Sequence, residues 1–418
     1  MLWDFASRRP YNPASQSLRI APLPYPSGNV LNAKPGRITA GQWAARLPWS
    51  IVATAGLLMG GGLLGIARSE QLAGGVQRLL SLQCVFALLA VAAMFAASLP
   101  SYRVLCRWSY PLMVVAVVLL VAVYFFPRIN GAHRWIRLGP IGLQPSELAK
   151  LAFVMALARW LMHRENHRRL RGILVPTILA AVPAVLIVRE PDLGTSLTFL
   201  PVLLTMLFAA GARRRDLLAM TAVGLLLLPV LWSQMSREQK SRVTAVLDQT
   251  GPHEQPDGDQ YHLHRAKQTL TMGGVWGTWL ADDLAAEPAR YFVPAAATDS
   301  IICVIGERYG LVGVAATLLL FTILVWRCLV VARRTQEPFG RLVAVGIGAL
   351  IAIQAFINTG MMVGLLPITG LSLPLVSYGG SGLVAHALAL GLVLNIGLRP
   401  GYEVTGEPFR FAAHRQAA

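Results

Sequence analysis

The residues best suited to chemistry in this sequence are charged side chains that stand beside or inside apolar segments. The stretch FVPAAATDSIICVIGERYGLVG places Asp299 at the start of an apolar run and Glu307 eight residues further on. On a helix, that spacing puts Glu307 about 12 Å deeper and near the same face. Charges at membrane depth are costly, so each implies a function or a partner of opposite charge. A carboxylate at position 299 suits a general base, or alternatively a helix N-cap.

A second group of candidates lies in the segment NGAHRWIRLGPIGLQPSELAK. Arg134, Arg137 and Lys150 form a cationic rim suited to an anionic ligand. Trp135 between the two arginines is a platform for a sugar or a lipid. The structural alternative is a helix that starts near Glu147, with Lys150 three residues later and on the same face. That spacing allows a buried ion pair between the two side chains.

Two further segments combine helix-breaking residues with polar side chains next to apolar runs. In VREPDLGTSL, Glu190 and Asp192 flank Pro191. Either Asp192 or Thr195 caps the following helix, or the segment contacts a ligand. NTGMMVGLLPITGLSLPLVSYGGSG is rich in Gly and Pro and provides the hydroxyls of Ser377 and Tyr378. Irregular backbone at membrane depth is tolerated only where it packs on protein or lines a cavity.

The longest polar segment of the chain adds two cations, Lys240 and Arg242. Its second half, GDQYHLHRAKQTLTMGG, predicts a surface helix that ends at Gly273–Gly274. His262 and His264 stand two residues apart, which is not a helical metal-binding spacing, and no third ligand accompanies them. The sequence therefore predicts no metal site here.

Composition identifies the elements that must position these residues. Of the 418 residues, 55% are hydrophobic and 14% are charged, with a mean hydropathy of +0.54. Soluble domains contain about 25% charged residues, so the composition predicts an integral membrane protein. The net charge of +17 is concentrated in short Arg-rich loops between apolar segments. Membrane topology explains that distribution better than nucleic-acid binding does.

The predicted fold is an all-α integral membrane protein with about ten transmembrane helices. The predicted spans lie at about 49–67, 79–99, 110–126, 144–162, 172–188, 196–211, 216–233, 299–331, 341–365 and 380–397. The eighth is too long for one straight crossing and is expected to kink at Gly306, Gly310 or Gly313.

Charge orients these spans. Residues 1–48 are predicted to be a disordered cytoplasmic tail, 49–398 the membrane domain, and 399–418 a cytoplasmic C-terminal tail. With the N-terminus inside, the cytoplasmic loops are all positive, at 100–109, 163–171, 212–215 and 327–341. The large loop between spans 7 and 8, 234–298, is then extracytoplasmic.

Four of these segments together resemble the SEDS family (shape, elongation, division and sporulation), the RodA/FtsW type of membrane protein. The matching stretches are GAHRWIRLGPIGLQPSELAKLA, EPDLGTS, ATDSIICVIGERYGLVG and NTGMMVGLLPITGLSLPLVSYGGSG, in the family's order. The resemblance implies a peptidoglycan glycosyltransferase that polymerises lipid II at the outer face of the bacterial cytoplasmic membrane. It also implies a class B penicillin-binding transpeptidase as partner. Lipid II and membrane lipids are the expected ligands, and nucleic acid is not.

The resemblance assigns the family's essential carboxylate to Asp299, its tryptophan to Trp135 and its lysine to Lys150. The expected reaction is inverting: Asp299 takes the proton of the acceptor 4-hydroxyl while undecaprenyl pyrophosphate departs. Cations stabilise the leaving pyrophosphate. The cations expected at the substrate are Arg134, Arg137, Lys150, Lys240 and Arg242.

The remaining candidates have supporting roles in this interpretation. Ser377 and Tyr378 are expected to contact substrate. Structural or cavity-lining roles are expected for Glu147, Glu190, Asp192 and Glu307. No cofactor is predicted, and participation of a divalent cation is left open.

The sequence departs from the family's pattern just before the carboxylate. Ala295 and Ala297 stand where a Glu and a His are usual, and Arg308 and Tyr309 replace an acidic and an aliphatic residue. These departures leave open a non-catalytic scaffold that activates a penicillin-binding protein. Many spans with embedded charges also suit a lipid II flippase or another transporter. A third alternative is a lipid-linked sugar polymerase of the O-antigen kind, and the SYGGS and QPSE motifs argue against it.

Overall fold

The computed structural model describes residues 40–73, 78–128, 132–138, 141–162, 170–226, 229, 232–233, 235–247, 258–280 and 293–401. The chain divides into two compact units, Met1–Ala45 and Arg46–Ala418. Helix α1 (Ala40–Arg46) stands where a disordered tail was predicted. The rest of that tail, and the C-terminal tail beyond residue 401, lie outside the described residues.

The described residues of the second unit are mainly helical. The helices are α2 (Trp49–Leu72), α3 (Arg78–Ala97), α4 (Tyr102–Ala122), α5 (Pro145–Leu161), α6 (Leu170–Arg189), α7 (Leu193–Ala209), α8 (Arg214–Leu226), α9 (Arg237–Leu247), α10 (Gly258–Gly273), α11 (Ile301–Arg334), α12 (Pro338–Met362) and α13 (Gly380–Leu398). Short 3₁₀ turns follow α4 at Val123–Phe125 and α10 at Thr278–Leu280. A small antiparallel hairpin of β1 (Ile136–Leu138) and β2 (Ile141–Leu143) interrupts the predicted all-helical fold.

Among the described residues, seven helices are long and apolar enough to cross a membrane: α2, α3, α4 with its 3₁₀ turn, α6, α11, α12 and α13. They correspond to seven of the predicted spans, so the chain is a multi-pass membrane protein. The other three predicted spans fall on shorter helices, with 17 residues in α5, 17 in α7 and 13 in α8. The total of ten spans stays a prediction.

Of the seven long apolar helices, α12 and α13 are the most buried. α13 packs on α3 and α12, α11 packs on α2 and α12, and α7 also packs on α12. These helices are predominantly apolar, as expected for segments buried in protein or lipid. α3 exposes Leu88 and Leu89, which are 73% and 54% accessible. Large apolar side chains on an outer face of such a bundle are suited to contact lipid tails.

Helix α11 is broken at Gly310, one of the three predicted kink positions. Gly310 has φ 66° and ψ −162°, far from helical values. Because of the break, the next two backbone amides have no helical carbonyl to donate to. Carbonyls of the chain just after α10 accept from them instead. Leu311 N–H donates to the Gly274 carbonyl at 2.9 Å and Val312 N–H to the Val275 carbonyl at 3.3 Å. Helix α10 itself ends at Gly273, as predicted.

We expect Gly310→Ala to destabilise the protein by about 3 kcal/mol or more. An added Cβ would clash with the Val275 carbonyl oxygen and lie 2.5 Å from the Gly277 nitrogen. Thermal unfolding of the detergent-purified protein measures the effect. Gly60→Ala is the matched control, because a Cβ at Gly60 meets nothing within 4 Å. Equal unfolding temperatures for the two variants would contradict the packing of this kink.

Candidate functional site

Asp299 lies in a turn immediately before α11. The helix begins at Ile301, and Ser300 occupies the N-cap position without a side-chain cap. The alternative that Asp299 is the N-cap of this helix is therefore wrong. The Asp299 side chain is half-buried, and a Cβ on Gly370 would lie 3.4 Å from its Oδ2. The carboxylate thus points toward the irregular Gly/Pro-rich segment between α12 and α13.

The backbone of this turn is strained and closed on itself. Ala295 has φ 51°, in the left-handed region that side chains other than glycine rarely adopt. Its carbonyl accepts from Thr298 N–H at 3.0 Å and from Ser300 N–H at 3.2 Å. The alanines that depart from the family pattern therefore contribute through their backbone, which any residue supplies.

The irregular segment before α13 fixes the same turn from the bundle. Ser377 Oγ donates to the Thr298 carbonyl at 2.6 Å, and Tyr378 N–H donates to the Ala297 carbonyl at 2.8 Å. Gln83 of α3 in turn donates to the Ser377 carbonyl at 3.3 Å. Ser377 was predicted to contact substrate, and its hydroxyl is here engaged with the backbone. Substrate contact by Ser377 or Tyr378 stays a prediction.

Asn358 of α12 is a third anchor, and it is not among the candidates predicted from the sequence. It is fully buried, and its Nδ2 donates to the Asp299 carbonyl at 2.8 Å and to the Leu371 carbonyl at 2.7 Å. A buried amide donor in an otherwise apolar helix was the available signal. Asn358 joins the turn of Asp299 to the Gly/Pro-rich segment.

Charged groups from three other segments surround the Asp299 carboxylate. Burial, and then the negative charge of Asp192, raise the pKa of Asp299 to about 6, while Arg134 and Arg242 act in the opposite direction. The carboxylate is therefore basic enough to accept a proton and is still mostly ionised at neutral pH.

Glu190 and Asp192 differ in their protonation and in their contacts. Burial, followed by the charge of Asp192, raises the pKa of Glu190 to about 8, so Glu190 is mostly protonated at neutral pH. Asp192 is the N-cap of α7, where its Oδ1 accepts from Thr195 N–H at 3.2 Å and its Oδ2 from Thr195 Oγ1 at 2.9 Å. Of the two residues predicted to cap this helix, Asp192 is the cap.

The hairpin residues take different positions around this cluster. Arg134 donates to the Glu190 carbonyl at 3.3 Å and to the Pro191 carbonyl. Trp135 is half-buried, whereas Arg137 on β1 is exposed. The structure thus brings Arg134 to the charges around Asp299 and leaves Arg137 open to solvent.

Lys150 is held in the predicted ion pair. Its Nζ lies 2.8 Å from Glu147 Oε1, one turn away on α5, and both side chains are almost fully buried. His386 Nδ1 of α13 lies 3.9 Å from Glu147 Oε2. The pairing is confirmed, and a direct role of Lys150 in substrate binding stays a prediction.

The two cations of the long polar segment lie on α9. Lys240 Nζ is 5.8 Å from the centroid of the Trp232 ring, a cation–π contact. Arg242 is close enough to lower the pKa of Asp299. Arg242 therefore belongs to the charges around Asp299.

The buried Glu307 carboxylate forms an ion pair with a cation that was not identified from the sequence. Arg68 of α2 pairs with both of its carboxylate oxygens, Nη2 to Oε1 at 2.8 Å and Nε to Oε2 at 3.1 Å. Thr278 Oγ1 also donates to Glu307 Oε1 at 2.6 Å. Arg68 was overlooked in the sequence, although an arginine near the end of an apolar run was a visible signal.

A metal centre has no support from the described residues. Among them, no group of three or more His, Cys, Asp or Glu side chains could hold a metal ion. His262 instead contacts the hydroxyl of Ser300, next to Asp299. Parts of the long polar segment, 248–257 and 281–292, lie outside the described residues.

The fold and the charges around Asp299 define a multi-pass helical membrane protein. Its carboxylate with a raised pKa lies in the turn just before the long helix α11. The family described as "Cell cycle protein", which comprises FtsW, RodA and SpoVE, matches residues 43–399. The chain belongs to this family.

Similar proteins extend over most of the chain. A "Probable peptidoglycan glycosyltransferase FtsW" of Geobacter metallireducens is 37% identical over 76% of this chain and 84% of its own length. "Peptidoglycan glycosyltransferase MrdB" of Escherichia coli K12 is 35% identical over 70% of this chain and 79% of its own.

Solved structures agree with the fold. A chain from a study of polymerization and crosslinking by a peptidoglycan synthase complex has a TM-score of 0.71 and 30% identity, covering 84% of this chain and 97% of its own length. The rod shape determining protein RodA of Thermus thermophilus has a TM-score of 0.64 and 27% identity, covering 85% of this chain and 98% of its own.

Proposed function

We propose that this chain, a peptidoglycan glycosyltransferase by its family membership, polymerises lipid II with Asp299 as the general base. The observation that carries the proposal is the half-buried Asp299 carboxylate, whose pKa of about 6 suits proton transfer at neutral pH. The turn that bears it is held by hydrogen bonds from α12 and from the segment before α13. A base held in place by backbone bonds has little reorganisation to undergo during the reaction.

The acceptor is the 4-hydroxyl of a sugar, and the donor is a sugar carried on polyprenyl pyrophosphate. Asp299 removes the hydroxyl proton as the oxygen attacks the anomeric carbon from the side opposite the pyrophosphate, which inverts that centre. Negative charge then accumulates on the departing pyrophosphate. Arg134 and Arg242 are the cations whose charge acts on Asp299, so they are best placed to stabilise the leaving group.

The same proposal includes location and partner. Both termini lie in the cytoplasm and Asp299 at the outer face of the bacterial inner membrane in this proposal, and the positive charge of the predicted cytoplasmic loops supports this orientation. Lipid II carries its sugars at that face when it is polymerised. A class B penicillin-binding transpeptidase is the proposed partner. Its support is the likeness to a chain studied in a complex for polymerization and crosslinking.

A flippase, a scaffold and a polymerase would give different products in an assay with labelled lipid II. Purified protein with a class B transpeptidase, incubated with labelled lipid II in detergent, should produce glycan strands when this chain is the polymerase. A flippase would instead move labelled lipid II across vesicles without strand formation. A scaffold would yield neither product, and either of these outcomes would overturn the proposal.

The pH dependence of polymerisation tests the base directly. Because Asp299 acts in its ionised form and has a pKa of about 6, the rate should rise with pH through about 6 and fall roughly tenfold per unit below it. Asp192→Asn removes a charge that raises this pKa, so its rate profile should shift to lower pH. Asn is also a good N-cap, which preserves the start of α7.

Glu190→Gln is the matched control for this profile. Glu190 is mostly protonated at neutral pH, and the amide copies its neutral form. The midpoint of the rate profile should therefore stay near 6. A profile that is flat from pH 5 to 8, or unmoved by Asp192→Asn, would contradict the assignment of the base.

A further inference from the structure

His262 of α10 reaches the turn that bears Asp299. Its Nε2 lies 2.8 Å from Ser300 Oγ, and this hydroxyl donates to the Pro294 carbonyl at 3.0 Å. Pro294 and Ser300 are the first and last residues of the run of turns that contains Asp299. The contact of His262 therefore falls where the two ends of this run meet.

Counting hydrogens assigns the direction of the two bonds. A serine hydroxyl carries one hydrogen and two lone pairs. Ser300 gives its hydrogen to the Pro294 carbonyl, so it accepts from His262, whose Nε2 must carry a hydrogen. The three groups form a chain of donors that runs from His262 through Ser300 to Pro294.

Helix α10 holds His262 firmly against α11. Leu263, Ala266 and Thr269 are at most 3% exposed and form its buried face. At its end, a Cβ on Gly273 would clash with the Gly306 carbonyl, so the two helices are in backbone contact there. His264 lies on the same helix and is exposed. His262 is half-buried, so the two histidines differ in exposure.

We propose that His262 is a positioning residue for glycosyl transfer. By donating to Ser300, it holds closed a turn that is strained at Ala295 and so keeps the Asp299 carboxylate in its reactive position. This role rests on the proposed function of Asp299 as general base. The long polar segment then supports the site with a hydrogen bond as well as with the charge of Arg242.

The test compares turnover and KM for lipid II in four variants purified with the transpeptidase partner. His262→Leu removes the donor, and kcat should fall about threefold to tenfold, the effect of one lost hydrogen bond, with KM unchanged. His262→Gln keeps an N–H donor and should retain wild-type turnover within about twofold. Ser300→Ala should be at least as slow as His262→Leu, because it also removes the bond to the Pro294 carbonyl. His264→Leu should behave as the wild type.

The double variant His262→Leu with Ser300→Ala distinguishes this link from general packing. If the two residues act through one bond, the double variant should be no slower than Ser300→Ala alone. The proposal would be overturned if the losses of turnover in the two single variants multiplied in the double variant. It would also be overturned if His262→Gln were as impaired as His262→Leu, or if Ser300→Ala kept full turnover. Ser300→Ala and His262→Gln decide the matter even where His262→Leu does not fold. Failure of the base assignment is recognised separately, by an active Asp299→Asn variant.

Discussion

Asp299→Asn should lower the rate of lipid II polymerisation by about 10²–10⁴-fold, the usual contribution of a general base. The amide has nearly the shape of the carboxylate but does not accept a proton at neutral pH. The bonds that fix this turn involve the backbone carbonyls of Ala297, Thr298 and Asp299, so they survive the change. Strand formation from labelled lipid II, resolved by gel electrophoresis, measures the loss.

Two controls accompany this variant. Thermal unfolding in detergent should match the wild type, because Ser300 and not Asp299 occupies the N-cap of the helix that follows. Lipid II binding, measured by equilibrium titration, should change far less than turnover. More than a tenth of the wild-type rate in Asp299→Asn would remove the carboxylate from the mechanism.

Glu307→Gln should cost about 3–5 kcal/mol of folding free energy, since it leaves the buried guanidinium of Arg68 without a countercharge. Glu307 is fully buried and Arg68 is 8% exposed, so water cannot replace the lost partner. The same carboxylate accepts from Thr278 in the 3₁₀ turn after α10. The detergent-purified variant should therefore unfold at a clearly lower temperature than the wild type.

Replacing both partners separates the cost of an unpaired charge from the contribution of the pair. Arg68→Met with Glu307→Leu leaves neither charge buried, and it should recover much of the stability that Glu307→Gln loses. Arg308→Gln, at the neighbouring position, changes a charge without breaking this pair and should be close to neutral. If the double variant is less stable than Glu307→Gln, the pair contributes more than charge compensation.

Local features of this protein were predictable from the sequence. The ion pair of Glu147 and Lys150 follows from a spacing of three residues on a helix. The end of α10 at Gly273 follows from two consecutive glycines, and the capping role of Asp192 follows from its position after Pro191. In each case, the residues that interact are neighbours in the chain.

The rest of the site depends on contacts between distant segments. Arg68 and Glu307 are 239 residues apart, and only the packing of α2 on α11 brings them together. Three glycines were candidates for the kink. The break occurs at Gly310, because the two amides after it donate to the carbonyls of Gly274 and Val275. The strained turn at Ala295 could not be predicted from residue types, because its hydrogen bonds are made by backbone atoms.

The break at Gly310 also bears on how the protein enters the membrane during synthesis. Below the break, Leu311–Arg334 is long enough by itself to cross about 30 Å of lipid. The insertion machinery can therefore accept this part as an ordinary apolar span. The short part above it, with Glu307, meets its partner from α2 after that helix is already in the bilayer. Asp299 is set in place later still, because its anchors Asn358 and Ser377 belong to α12 and to the segment before α13, which follow α11 in the chain.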